Sequence, residues 1–356
     1  MNPEFWKGKR TFITGHTGFK GSWLSLLLQG TGADLTGYSL EPLTDHNLFD
    51  IAGVASGMNS IVGNVCDLEN LTSAIKEHQP EIVIHMAAQS LVLDSYSQPV
   101  ETYATNVMGT VHLLEAVRDC PSVKIVLIVT SDKCYENKEW DWGYRENEPV
   151  GGLDPYSSSK GCAELVTSAY RNSFFEDENP QASTIGVASV RAGNVIGGGD
   201  WAKNRLIPDI MDGFINSRPV TIRNPNSIRP WQHVLDPING YLVLAEHLWE
   251  NPSEFSGAWN FGPSRNDACG VGWVADRLAK LWGNGGSWEI DSGGYPHESR
   301  TLRLDCSKAN IHLSWTPRLD LDATLDWIVE WYKVYASQGN VRQITEDQIS
   351  RFQNLK

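Results

Sequence analysis

No stretch of this chain approaches the roughly 18 consecutive apolar residues that cross a bilayer, so no membrane-spanning helix is expected. The opening residues Met1-Asn2-Pro3-Glu4-Phe5-Trp6 lack the charged-then-apolar pattern of a secretory signal. Cysteine is sparse: positions 66, 120, 134, 162, 269 and 306, with no C-x-x-C pair among them, which reads as reduced thiols rather than a disulfide framework. Positive charge is short as well. Lys plus Arg amounts to 29 against 43 for Asp plus Glu, a net of −14, and so acidic a balance disfavours nucleic acid and anionic membranes as partners. The histidines show no H-x-x-x-H or carboxylate spacing, so no metal site is expected, and the absence of a G-x-S-x-G elbow disfavours nucleophilic hydrolysis. What remains is a cytoplasmic α/β protein of ordinary globular composition, 41% hydrophobic and 20% charged. At 356 residues it is long enough for two lobes.

Strand-length apolar runs alternate with helical patterns through the first half. Thr11–Thr14 precedes a helix over Lys20–Gln29; Asp34–Tyr38 and Ser60–Val62 read as short strands; a helix follows near Glu69–His78. Glu81–His85 is a buried strand, Thr102–Arg118 a long helix, Val123–Thr130 a continuous apolar strand, Ser157–Ser173 a helix and Thr184–Val190 a strand. That alternation predicts a doubly wound parallel sheet. After Arg191 the texture changes to Pro, Asn and Arg up to Trp231, with late helices at Asp276–Trp282 and Ala323–Tyr335. The expected division is residues 1–190 plus about 233–262 in one lobe, and about 191–232 plus 263–356 in a smaller α/β lobe.

Gly15-His16-Thr17-Gly18-Phe19-Lys20-Gly21 lies between the first strand and the first helix. Glycines at this spacing let backbone N–H groups and a helix N-terminus approach a pyrophosphate without obstruction, which predicts a dinucleotide site. The second strand ends Gly37-Tyr38-Ser39-Leu40-Glu41. No Arg stands there to receive a 2′-phosphate, so NAD is favoured over NADP, with Ser39 able to contact the ribose. Asp67, in Cys66-Asp67-Leu68, is placed either to accept from an adenine amino group or to cap the helix that follows.

Tyr156 and Lys160 stand four apart on one helix face. A tyrosine is a poor base near neutral pH unless a neighbouring cation stabilises its phenolate. Thr130-Ser131 at a strand end adds a hydroxyl beside the reacting alcohol, and Asp132-Lys133 adds an acid and a base where substrate would lie. Two titratable groups beyond the Tyr/Lys pair suit a second proton-transfer step, such as loss of water.

With these motifs the chain resembles the extended branch of the short-chain dehydrogenase/reductase superfamily, a Rossmann-type fold. The resemblance runs through the glycine turn, Asp67-Leu68, Met86-Ala87-Ala88-Gln89, Asn106, Thr130-Ser131, Tyr156/Lys160 and Arg191-Ala192-Gly193-Asn194-Val195-Ile196-Gly197. It implies an NAD cofactor held by Gly15, Thr17, Gly18, Phe19, Gly21, Ser39, Asp67, Leu68, Ala87, Ala88, Gln89, Asn106, Tyr156 and Lys160. Tyr156 would be the acid/base, Lys160 would lower its pKa, and Ser131 would orient the substrate hydroxyl. Asp132-Lys133 resembles the Asp-Glu pair of sugar-nucleotide 4,6-dehydratases. With Glu136–Trp140 and Tyr295-Pro296-His297-Glu298 it resembles the branch acting on CDP-glucose.

Asp132 would then protonate the departing hydroxyl, and Lys133, neutral when it acts, would take the C5 proton. Substrate contacts implied by the resemblance are Gln89, Ser131, Asn194, Arg205, Arg229, Asn260 and His297, the last equally able to act as a cap or core partner. For the other arginines of this segment, Arg218 and Arg223, surface pairing is an equal reading, and lobe packing is favoured for Trp231. An epimerase or reductase of the same superfamily, and a non-catalytic NAD-sensing protein, stay open at this point. Self-association as a dimer or tetramer through the helices near Thr102–Arg118 and Ser157–Ser173 is also expected by analogy.

Overall fold

The computed structural model describes residues 1–175, 185–264, 267–283, 285–291 and 302–355. Seven strands form one sheet: β1 Arg10–Thr14, β2 Asp34–Ser39, β3 Asn59–Val62, β4 Ile82–His85, β5 Ile125–Val129, β6 Gly186–Arg191 and β7 Gly257–Asn260. Across the sheet they run β7-β6-β5-β4-β1-β2-β3, and every pairing is parallel. The chain direction of the winding reverses between β1 and β4, which opens a crevice at their carboxyl ends.

Strict alternation divides the sheet residues between two layers. Phe12, Val83, Val126, Ile128 and Val187 face a core containing Leu71, Ile75, Leu113 and Val117. Ile13, Ile84, Leu127 and Val190 face the other core, with Trp23, Leu27, Leu242 and Leu244. Because helices cover both faces, β5 is apolar throughout and β4 is apolar up to the buried His85 at its end, as buried parallel strands require. The helices concerned are α1 Phe19–Thr31, α2 Leu68–His78, α3 Gly109–Arg118 and α4 Pro155–Tyr170. Helix α1 ends at Gly32, whose left-handed φ of 76° lets its N–H close on Leu28 and Gln29.

The long helix expected over Thr102–Arg118 is interrupted. A short helix Pro99–Tyr103 passes through a π turn, Ala104–Met108, before α3 begins. Asn106 occupies that wider turn. Its Oδ1 accepts from Gln89 N at 2.9 Å, and its Nδ2 donates to Gln89 O at 3.0 Å and Ser159 Oγ at 2.8 Å. The extra residue in the turn turns Asn106 inward to tie the loop after β4 to α4.

Apart from β7, which returns to the sheet, the described residues beyond β6 form three two-stranded pairs, with helices α5 Leu206–Ile215, α6 Leu235–Glu250, α7 Val271–Trp282, α8 Leu321–Ala336 and α9 Val341–Gln353. The second core-forming half is not isolated. Trp23 of α1 donates Nε1–H to Gly198 O at 2.9 Å, and Trp331 of α8 packs on Gly198 where no Cβ could fit. Arg342 of α9 donates to Ala52 O at 3.2 Å, Gly53 O at 3.0 Å and Gln29 Oε1 at 3.0 Å, so α9 lies on the amino-terminal half. Among the described residues no helix is long and apolar enough to cross a membrane, and no disulfide joins any of the six cysteines.

Candidate active site

A cleft of about 600 Å³ opens over the carboxyl ends of β1, β4 and β5, a size suited to a cofactor and a small substrate. Its floor is the glycine turn. Gly15 has φ +76°, and a Cβ there would stand 2.7 Å from Ala87 N; a Cβ on Gly21 would collide with Gly15 O. These two glycines let the turn lie flat on the loop after β4, where Ala87 and Ala88 line the cleft. Gly18 is the N-cap of α1 and no side chain caps that end. The first N–H groups of α1, beginning at Phe19, are therefore left for an anion. Thr17 donates its hydroxyl proton to Leu40 O at 2.9 Å, so Ser39 is the donor in the 2.9 Å bond between the two hydroxyls.

Of the two readings of Asp67, the structure shows the cap. Its Oδ1 accepts from Asn70 N at 3.1 Å and its Oδ2 from Asn70 Nδ2 at 2.6 Å. Leu68 is the exposed first residue of α2, and the cleft wall nearby is Asn64 and Val65. Asn106 and Gln89 likewise act on the loop. Asn106 is buried as described, and Gln89 folds back on Leu91, donating to its carbonyl at 3.0 Å and accepting from its N–H at 2.7 Å. Their neighbours Ser90 and Val92 reach the cleft instead.

At the end of β5, Ser131 caps a 3₁₀ turn over Asp132–Cys134. Its Oγ accepts from Lys133 N at 3.2 Å and donates to Asp132 Oδ1 at 3.0 Å. On the facing side Asp154 caps α4 by accepting from Ser157 N at 2.9 Å, and Pro155 sits at the first helical position. That start places Tyr156 and Lys160 on successive turns, both buried and both lining the cleft with Ser131, Asp132 and Lys133. The sequence leads to the expectation that Lys160 lowers the phenol's pKa. Among protein groups alone, burial pushes Tyr156 up to about 12, and Ser131's hydrogen bond is the main opposing influence. Lys160 directs its amine to Val129 O at 3.4 Å, and burial brings it down to about 8.

One turn further along α4, Glu164 forms the base of the site. It accepts from Thr130 Oγ1 at 2.5 Å, Ser189 Oγ at 2.6 Å and Arg191 Nη2 at 2.7 Å. Burial opposes its ionisation, yet Arg191 and the two hydroxyls hold it below its ordinary range. Arg191 also donates to Tyr135 OH at 2.6 Å, and that hydroxyl donates to Asn260 Oδ1 at 2.8 Å. Asn260 is fully buried, with Nδ2 donating to Tyr144 O and Asp305 O. Its expected substrate contact is thus corrected: it is a pin between β7 and the loop after β5. Only the i, i+4, i+8 spacing of Tyr156, Lys160 and Glu164 signals this carboxylate in the sequence.

On the opposite wall Asn194 adopts a left-handed φ of 50° and lines the cleft. Arg205 donates to Asp200 Oδ2 and to Ser90 Oγ, both at 3.1 Å. Arg229 lines the same wall and donates to Ile228 O at 3.1 Å. Trp231 is buried in the main core, as lobe packing requires. His297, with Tyr295, Pro296 and Glu298, lies outside the described residues. Six cationic side chains line the cleft against four acidic ones, so its local balance is opposite to that of the whole chain.

Residues 11–262 match the model of the NAD dependent epimerase/dehydratase family. The chain belongs to that family. NAD is accordingly its cofactor, and the uncapped start of α1 over a Cβ-free cradle fits a dinucleotide diphosphate. A CDP-glucose 4,6-dehydratase of Salmonella typhimurium is 55% identical over 352 residues, covering 99% of this chain and 98% of that one. A putative UDP-glucose 4-epimerase of Methanocaldococcus jannaschii is 27% identical, covering 90% of this chain and 97% of its own. Among solved structures, a dTDP-glucose 4,6-dehydratase of Bacillus anthracis in complex with NAD superposes with a TM-score of 0.74 at 22% identity, covering 92% of this chain and 98% of that one. The family's fold is the doubly wound Rossmann-type sheet expected from the sequence.

Proposed function

We infer that this protein is a CDP-glucose 4,6-dehydratase, a hydro-lyase converting CDP-D-glucose to CDP-4-keto-6-deoxy-D-glucose and water. The observation that carries the reading is 55% identity to the Salmonella typhimurium enzyme across essentially both whole chains. The convergence of Ser131, Asp132, Lys133, Tyr156 and Lys160 on one cleft supports it.

Bound over the glycine turn, NAD supplies an internal hydride acceptor and donor, so no external reductant is consumed. Tyr156 takes the proton of the sugar's C4 hydroxyl while Ser131 orients that hydroxyl. The resulting 4-ketone acidifies C5. Lys133 takes the C5 proton and Asp132 protonates the 6-hydroxyl as the C6–O bond breaks, releasing water. The proton returns to C5 when C6 is reduced, Tyr156 loses and Asp132 regains a proton by exchange with solvent, and the sum is loss of one water. Arg205, Arg229 and Asn194 face the cleft where the sugar's diphosphate would lie, and guanidinium forks suit phosphate oxygens. In this reading residues 1–190 plus about 233–262 hold NAD, and about 191–232 plus 263–356 hold the nucleotide sugar. The packing of α9 adds a carboxyl-terminal brace to the first lobe.

Dependence on NAD and a nucleotide sugar points to the cytoplasm and away from nucleic acid or membrane partners. Exposed Val100, Tyr103, Met108 and Leu165, on the helices flanking the site, support a dimer or tetramer. The test is a panel of CDP-, dTDP-, GDP- and UDP-glucose without added reductant. CDP-glucose should lose one water by mass and give the alkali-induced absorbance of a 4-keto sugar. A C4 epimer of unchanged mass, or a lasting need for added NAD(P)H, would overturn the dehydratase reading. Retention of C5 deuterium exchange in Lys133→Ala would remove Lys133 from the base role.

A further inference from the structure

Lys20 takes no part in the chemistry above. It is the second residue of α1, immediately beyond the Gly18 cap, and it lines the cleft. Its side chain leaves the glycine turn and reaches the reaction end, where Nζ donates to Tyr241 OH of α6 at 3.5 Å. The charged groups that face it come from three other elements: Lys160 from α4, Arg205 ahead of α5, and Asp132 from the turn after β5. Lys20 therefore connects the phosphate end of the cleft to the group of residues around Tyr156.

Among protein groups alone, a charged Lys20 is disfavoured. Burial is the largest cause, Lys160 and Arg205 repel it, and Asp132 offsets part of this; together they bring the amine from 10.5 down to about 7. A dinucleotide changes that field. Its two phosphates carry negative charge to the start of α1, where the backbone N–H groups have partial charges only. The one flexible cation on that first turn is Lys20.

We propose that Lys20 is a ligand of the cofactor's diphosphate and takes up a proton from solvent as the dinucleotide enters the cleft. The step is R–NH₂ + H⁺ → R–NH₃⁺, with no other bond made or broken. It rests on membership in the NAD dependent family and not on which sugar is the substrate. Because the bound state favours the protonated amine, affinity for the cofactor falls as pH rises above about 7. The limit is tenfold per pH unit for one linked proton.

The test is calorimetric binding of NAD at pH 8, to protein freed of bound dinucleotide, in buffers of different ionisation enthalpy. ADP-ribose, which has the diphosphate and lacks the nicotinamide, serves as the second probe. Wild type should take up most of one proton per site with either ligand. Lys20→Met should abolish the uptake and flatten the pH dependence of Kd. Lys20→Arg, a permanent cation, should keep near-wild-type affinity without uptake, which a packing role could not reproduce. Proton-neutral binding by wild type, uptake unchanged in Lys20→Met, or uptake with NAD but not ADP-ribose would each overturn the proposal.

Discussion

Gly193 lies so close to Asp132 that a Cβ at position 193 would overlap both carboxylate oxygens. The same carboxylate accepts from Ser131 at 3.0 Å. Asp132 is thus held between a hydroxyl on one side and bare backbone on the other, and its direction into the cleft is set by both.

Gly193→Ala should displace the Asp132 carboxylate without touching the dinucleotide floor. Turnover is expected to fall about 10²-fold, the low end for losing a positioned acid. Overpacking should cost about 1–3 kcal/mol of stability. Steady-state kinetics and an NAD titration check this, the latter staying near wild type.

For Asp67 the expected loss is structural. Asp67→Ala removes the cap of α2 and should lower stability by about 1 kcal/mol, measured by urea unfolding, with NAD affinity unchanged. A marked rise in the Kd for NAD would show instead that the carboxylate holds adenine.

Glu164→Gln leaves Arg191 buried with its main counter-charge gone, and such removals cost about 3–5 kcal/mol. The pH dependence has a defined sign. Glu164 titrates below its ordinary 4.5 in the folded protein, so its contribution is complete above 4.5 and is lost as pH falls further. The gap in denaturation midpoint between wild type and Glu164→Gln should be full at pH 7 and narrow below pH 4.5.

Asp236 at the start of α6 behaves oppositely. It is fully buried and accepts from Arg318 N at 2.7 Å, and burial raises it from 3.8 to about 7. A carboxyl that binds its proton more tightly when folded costs stability as pH rises between those two values. Asp236→Asn should flatten that decline, seen by comparing urea midpoints at pH 4 and pH 8 for both proteins.

The parts of this protein that could be read in advance are those whose logic is local. Gly15–Gly21 declares itself because the turn, the strand before it and the helix after it are adjacent in sequence. Tyr156 and Lys160 do so because four residues make one helical turn. Asn260 could not be assigned this way, since its partners Tyr135, Tyr144 and Asp305 are all remote in sequence. The π turn at Asn106 was hidden for the same reason, being set by contacts to Gln89 and Ser159. Helix α6 gives no periodic signal in the sequence because it is buried nearly all round and has no polar face. In α9 the buried stripe is broken by Thr345 and Gln348. They enter the core only because Trp331 Nε1 and Trp327 O supply their hydrogen bonds.

The bond from Arg342 to Gly53 spans 289 positions, and this distance shapes how the protein is made. The underside of α1, with Trp23 bonded to Gly198 and flanked by Trp331, waits for partners synthesised long after it. A chain leaving the ribosome can wind its first five parallel strands early, yet it carries an uncovered apolar face until the final helices emerge. Nascent chains arrested before Arg342 should therefore be the aggregation-prone species, and the ones a chaperone has most reason to hold.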